Sequence, residues 1–223
     1  MQVRARTLRL AHRGDWRHAP ENSIAAMTAA LAIAGCDGLE FDVRRSSDGI
    51  PVVIHDETLE RVQGQPDRVD ALSATVLETH GIPTLVDLLA AVDRRAFLDV
   101  ELKGTHDRAV VEVLAAARGA ELRDTVVSSF EPATLERVRG LAPAWARWLN
   151  SATLDADVIA TAAQLDCRGI SVWFEAVDEA TMAMARAAGL EVAAWTVRRR
   201  ATYDRLARLG VAAVCVEAAA LDG

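Results

Sequence analysis

The sequence predicts an α/β chain folded as a (β/α)8 TIM barrel, with a short insertion after the second barrel strand. Short apolar runs rich in Val, Ile and Leu alternate with segments of helical periodicity, as in a parallel sheet covered by helices. Polar caps and glycines punctuate those segments at regular intervals. About eight strand–helix units fit within 223 residues, which suits a small closed barrel better than an open doubly wound sheet.

The first strand is predicted at 8–12. A helix over 22–34 follows: Asn22 or Ser23 caps it, Ile24, Met27, Leu31 and Ala34 form one apolar face, and Gly35 stops it. Strands 38–43 and 51–55 are joined by residues 44–50 with Asp48-Gly49 at the turn, a hairpin-like elaboration of one barrel strand. Residues 57–83 are polar and turn-rich and read as a small lid or insertion. Strands at 97–101, 125–129, 145–149, 169–173, 191–197 and 213–216 then alternate with helices. Those helices are predicted at 84–94, 107–118, 131–140, 155–165, 178–188 and 200–209, with Gly119, Gly140, Gly189 and Gly210 as stops. The whole chain, 1–223, reads as a single domain.

Composition narrows the classes. An apolar share of 51% supports a sizeable core, and no run of 18 uninterrupted apolar residues is present to span a membrane. Arg4, Arg6 and Arg9 lead into no apolar segment or cleavage site, so no signal peptide is expected and the cytoplasm is the expected location. Cys36, Cys167 and Cys215 are odd in number and widely spaced, which predicts neither a disulfide framework nor a zinc site. A net charge of −7 argues against a nucleic-acid partner. Arg198-Arg199-Arg200 is the one basic run and reads as the opening of a solvated helix.

Lys103 is the only lysine among 25 Lys/Arg positions, so a compact point charge is wanted where arginine is otherwise the rule. It follows Glu101 at a strand end, on the same side of the chain. Glu40 and Asp42 likewise share one face of strand 38–43. A solvated strand face is the bland alternative to a cation between them. Three acids without cysteine or histidine otherwise suit one hard divalent cation, Mg2+ or Ca2+. His12 and His55 each leave an apolar strand for a polar loop, as a general acid and base would. Trp16, Trp148, Trp173 and Trp195 also fall near strand ends, where they could wall a cleft or fill the core.

Together with their spacing, several pieces resemble the glycerophosphodiester phosphodiesterase family over essentially the whole chain. They are His12-Arg13-Gly14, Pro20-Glu21-Asn22-Ser23, Glu40-Phe41-Asp42-Val43 and Asp48 with Val53-Ile54-His55-Asp56. Leu59 with Arg61, Ile82-Pro83-Thr84-Leu85, Glu101-Leu102-Lys103, Ser129-Phe130 and Trp195-Thr196-Val197 complete the set. The resemblance implies a (β/α)8 barrel that hydrolyses a small-molecule phosphodiester to an alcohol and sn-glycerol 3-phosphate. It also implies a divalent metal on Glu40, Asp42 and Glu101, catalytic His12 and His55, and phosphate contacts from Arg13 and Lys103. Glu21 reads equally as a substrate contact or a first-turn acid on the helix dipole. Asn22 reads as a cap, Ser129 as a substrate contact or a cap, and Trp195 as part of a substrate wall.

Two departures stand out. Arg198 follows Trp195-Thr196-Val197 where the family has asparagine, and Cys215-Val216-Glu217-Ala218 replaces its Thr-Asp-x-Pro. Both fall at the last two strand ends and bear on substrate range. A lysophospholipase D acting on single-chain lipids and a catalytically silent phospholipid-headgroup binding module are the alternatives.

Overall fold

A computed structural model describes residues 6–222 apart from 105 and 107. Eight parallel strands close into a barrel: β1 (Leu8–His12), β2 (Gly38–Arg45), β4 (Phe97–Leu102), β5 (Thr125–Ser129), β6 (Arg147–Ser151), β7 (Gly169–Trp173), β8 (Glu191–Val197) and β9 (Ala213–Val216). Closure comes from β1, which pairs with both β2 and β9. The ninth strand, β3 (Pro51–Val53), folds back antiparallel on β2 with Val53 opposite Val43, forming the expected hairpin.

Around the barrel run α1 (Ile24–Leu31), α4 (Leu85–Ala91), α5 (Arg108–Arg118), α6 (Pro132–Leu141), α7 (Ala156–Gln164), α8 (Glu179–Ala187) and α9 (Arg200–Leu209). Position 107, the predicted start of α5, lies outside the described residues. The helix α1 is shorter than predicted: Ser23 caps it by accepting from the Ala26 amide, and it ends before Gly35. Gly140 lies inside α6 and does not stop it. Strand β6 begins two residues later than predicted, because Trp145 turns away and donates its Nε1–H to the Ala120 carbonyl at 2.8 Å.

The strands are buried on both faces, which is why they read as near-continuous apolar runs. Their outward side chains (Ala11, Leu39, Phe41, Val100, Val127) pack under Met27, Leu88, Leu114 and Leu135 of the helices. Inward side chains change character along the barrel axis. Leu8, Leu10, Phe97, Val126, Trp148, Ala193, Ala213 and Cys215 form an apolar floor. Above it, nearer the C-terminal strand ends, Glu40, Asp42, Asp99, Glu101, Ser128, Asn150 and Ser171 are all buried. So many dry polar groups in one layer are costly unless paired, a cost that proteins bear chiefly at sites.

The segment 57–83 contains α2 (Glu60–Gln63), α3 (Ala74–Thr79) and a 3-10 turn (Val69–Ala71). It packs on a separate apolar cluster of Val52, Ile54, Leu59, Val69, Ala74, Leu77 and Ile82. No helix among the described residues is long and apolar enough to cross a membrane.

Candidate active site

Strand register gathers the acids. Along β1, β2 and β4, His12 lies beside Glu40, Glu40 beside Asp99, and Asp42 beside Glu101. Glu40, Asp42 and Glu101 each offer a carboxylate oxygen within 4.8 Å of the others. Glu40 Oε2 and Asp42 Oδ1 are buried without a hydrogen bond. Burial, then repulsion from Asp42 and Glu101, pushes the Glu40 carboxyl well above its ordinary value. Glu101 is raised by burial and by Asp42, and Asp99 is pushed up to about 7, mainly by burial. Burial would raise Asp42 too, but Lys103 and Arg13 outweigh it and hold it at about 2. Dry carboxylate oxygens converging on one point are the donor set a hard divalent cation requires.

Two cations lean on this cluster. Lys103, just past β4, contacts Glu101 and lies 3.2 Å from Asp42 Oδ1. Arg13 places Nε 3.1 Å from Asp42 Oδ2 and donates from Nη1 to Glu21 at 2.9 Å. Its backbone is left-handed (φ 57°), as is that of Gly14 (φ 83°). A Cβ on Gly14 would come within 2.6 Å of the Ala26 backbone, so glycine is required where this turn passes α1. Asn22 corrects the cap reading. Its side chain is buried and donates to Asp42 Oδ2 at 2.9 Å, while Ser23 caps the helix.

Both histidines present a similar construction. His12 Nδ1 donates to Glu217 Oε1 at 2.5 Å, and its Nε2 lies 3.7 Å from Glu40 Oε2. His55 Nδ1 donates to Asp56 Oδ1 at 2.6 Å. A carboxylate on Nδ1 fixes the tautomer and leaves Nε2 as the available nitrogen. Behind each carboxylate stands an arginine: Arg198 Nε donates to Glu217 at 2.7 Å, and Arg61 Nε to Asp56 at 2.6 Å. Burial would raise Glu217, but the hydrogen bonds from His12 and Arg198 hold it below its ordinary value. Asp56 is likewise lowered, since Arg61 and His55 together outweigh burial. The His55 imidazole is lowered, chiefly by burial.

A cavity of about 190 Å3 is lined by His12, Arg13, Glu40, His55, Glu101, Lys103 and Trp195, among others. An outer cleft of about 760 Å3 shares His12 and Arg13 with it and reaches Trp16, Glu21, Arg61, Trp173 and Arg198. Trp195 stacks edge-on against Phe130 and Trp173, with centroids 5.5 and 5.6 Å away.

Two sequence expectations need correction. Ser129 does not line the cavity: its buried hydroxyl donates to the Leu102 carbonyl at 2.7 Å and accepts from the Glu131 amide. Its neighbour Ser128 takes the inward position and donates to Asp99 at 2.6 Å. Trp148 sits in the floor against Phe97, leaving Trp16, Trp173 and Trp195 at the mouth. Glu21 lies between Arg13 and Arg61. From the sequence, Asn22 has no role beyond a cap, Asp99 has none, and Glu217 stands out only as a departure. Asp56 and Arg61 were visible only within the resemblance.

A model of the glycerophosphoryl diester phosphodiesterase family matches residues 12–221. The chain is 26% identical over 224 residues to a glycerophosphodiester phosphodiesterase of Caldanaerobacter subterraneus subsp. tengcongensis, covering 92% of each. It superimposes on a glycerophosphodiester phosphodiesterase of Agrobacterium tumefaciens with a TM-score of 0.81, at 28% identity over 97% of this chain and 98% of that one. A phosphodiesterase of Oleispira antarctica, solved in complex with the product sn-glycerol-3-phosphate, matches with a TM-score of 0.78. Its identity is 26%, over 95% of this chain and 93% of that one. From its closed parallel barrel and the match over nearly its full length, the chain belongs to the glycerophosphoryl diester phosphodiesterase family and is a phosphoric diester hydrolase.

Proposed function

We propose that the whole chain acts as one phosphodiesterase domain. It hydrolyses glycerophosphodiesters to an alcohol and sn-glycerol 3-phosphate, with a divalent cation on Glu40, Asp42 and Glu101. The observation that carries this reading is the convergence of three dry carboxylates beside two histidines that share one cavity. Mg2+ or Ca2+ held there would supply Lewis acidity toward the phosphoryl oxygens. Arg13 and Lys103 bind the phosphodiester and offset charge that develops on it. His12 and His55 divide base and acid duties through Nε2. Glu21 orients Arg13 through Nη1 while Nε faces Asp42, and Trp195 offers an apolar wall to the substrate.

A second reading rests on the rim. Trp16, Phe130 and Trp173 are exposed around the mouth, as a single acyl chain entering the cleft would require. This is the lysophospholipase D alternative. The test is turnover of glycerophosphocholine, glycerophosphoethanolamine and lysophosphatidylcholine with and without EDTA. Hydrolysis of the deacylated diesters, lost on chelation and restored by Mg2+ or Ca2+, is the expected result. Full activity after exhaustive chelation removes the metal from the proposal. Turnover of lysophosphatidylcholine alone transfers the assignment to the second reading.

A further inference from the structure

We propose that Arg198 is a positioning residue for His12 and acts through Glu217. The inference rests on the hydrolase reading above only for its kinetic consequence; its structural basis is independent. Val197 of β8 lies beside Val216 of β9, so Arg198 and Glu217 leave adjacent strands side by side. The Glu217 amide donates to the Val197 carbonyl at 2.9 Å, which fixes the start of the side chain. Beyond that point the carboxylate is a rotor. One oxygen accepts from His12 Nδ1 at 2.5 Å, and the other accepts from Arg198 Nε at 2.7 Å.

With only the first contact, rotation of the carboxylate would swing the imidazole or break its hydrogen bond. Arg198 closes that freedom by holding the second oxygen. Other cations nearby are engaged elsewhere: Arg13 with Asp42 and Glu21, Lys103 with Asp42 and Glu101, Arg61 with Glu21 and Asp56. The two departures noted in the sequence are thus two halves of one contact.

Exposure separates positioning from a general structural role. The Glu217 side chain is 5% exposed, whereas that of Arg198 is 71% exposed. Truncating Arg198 removes the hold on Glu217 without opening a cavity in the core.

The test uses Arg198→Ala, Arg198→Lys and Glu217→Gln in the full chain. In metal-free protein labelled with 15N-histidine, the His12 Nδ1 proton is identified as the signal absent in His12→Ala and shifted in Glu217→Gln. Its exchange with water should quicken about tenfold in Arg198→Ala, and kcat on glycerophosphocholine should fall about tenfold with KM within about twofold, as when an orienting partner of a site histidine is lost. Arg198→Lys, which can still donate to the second oxygen, should recover most of both losses. Unchanged proton exchange in Arg198→Ala overturns the proposal. So does a loss confined to KM, which would make Arg198 a substrate contact. If the wild type turns over no diester, the hydrolase reading fails while the exchange comparison still decides the proposal.

Discussion

His12 and His55 reach the same cavity from different kinds of structure. His12 ends β1, a strand paired on both sides within the closed barrel. His55 lies two residues beyond β3, the hairpin strand that leads into the 57–83 segment. The chemistry behind the rings converges nonetheless, each with a carboxylate on Nδ1 and an arginine on the carboxylate. The difference lies in how the partners arrive. Asp56 is the next residue after its histidine, whereas Glu217 is 205 positions from His12 and meets it only because the barrel closes. Arg61 is also bound to Glu21, and through Arg13 to Asp42, while the ion pair of Arg198 is with Glu217 alone among the described residues. One histidine is oriented by local sequence and a braced network, the other by the fold itself.

The strongest way to break the parallel is to remove the rings. His12→Ala and His55→Ala should each lower kcat by about two to four orders of magnitude while the chain still folds. Near-wild-type turnover in either variant would leave a single working histidine. Lys103 belongs to neither chain and sets the scale for the other charges. Lys103→Ala should cost about 2.7–4 kcal/mol in kcat/KM at saturating metal, the usual range for one preorganised charge contact. Lys103→Arg should recover only part of this, because a planar guanidinium fits poorly where an ammonium lies between Asp42 and Glu101. Full activity in that variant would mean that only the charge matters.

Asp56→Asn and Glu217→Gln sharpen the comparison, and each should reduce kcat about 10–100-fold. A silent Asp56→Asn beside a damaged Glu217→Gln would show that only the ring on the barrel wall needs orientation.

A further effect is on stability. The folded Glu217 carboxyl lies below its ordinary value, so its contribution is present above the unfolded value and is lost as pH falls through the folded one. Glu217→Gln should therefore be about 1.5–3 kcal/mol less stable than wild type near neutrality, with the gap closing on acidification. Denaturant titrations at neutral and acidic pH measure it. A gap that does not change with pH would exclude the carboxylate charge as its source.

Much of this was legible in one dimension. Alternation placed Glu40 and Asp42 on one face, and the lone lysine marked the end of β4. Facts set by the third dimension were not. Ser129 reads as a contact or a cap until register shows that Ser128 is the one that points inward. Asn22 before Ser23 looks like a cap, and only its left-handed backbone turns the side chain to Asp42. Arg198 and Glu217 register as unrelated oddities until β8 and β9 lie side by side.

The separate apolar cluster beneath residues 57–83 predicts two tiers of cooperativity. The buried residues beneath that segment form their own cluster, distinct from those on either side of the barrel wall. Local opening can therefore release it at a lower free energy than global unfolding. His55, Asp56 and Arg61 stand at its border, whereas His12, Glu40 and Glu101 stand on closed strands. Amide exchange in α3 should accordingly be faster than in β4, and warming should abolish turnover before the barrel loses its circular dichroism. Coincident transitions would instead show a single cooperative unit. With two tiers, the working lifetime of the catalyst is set by the outer segment, however durable the barrel beneath it.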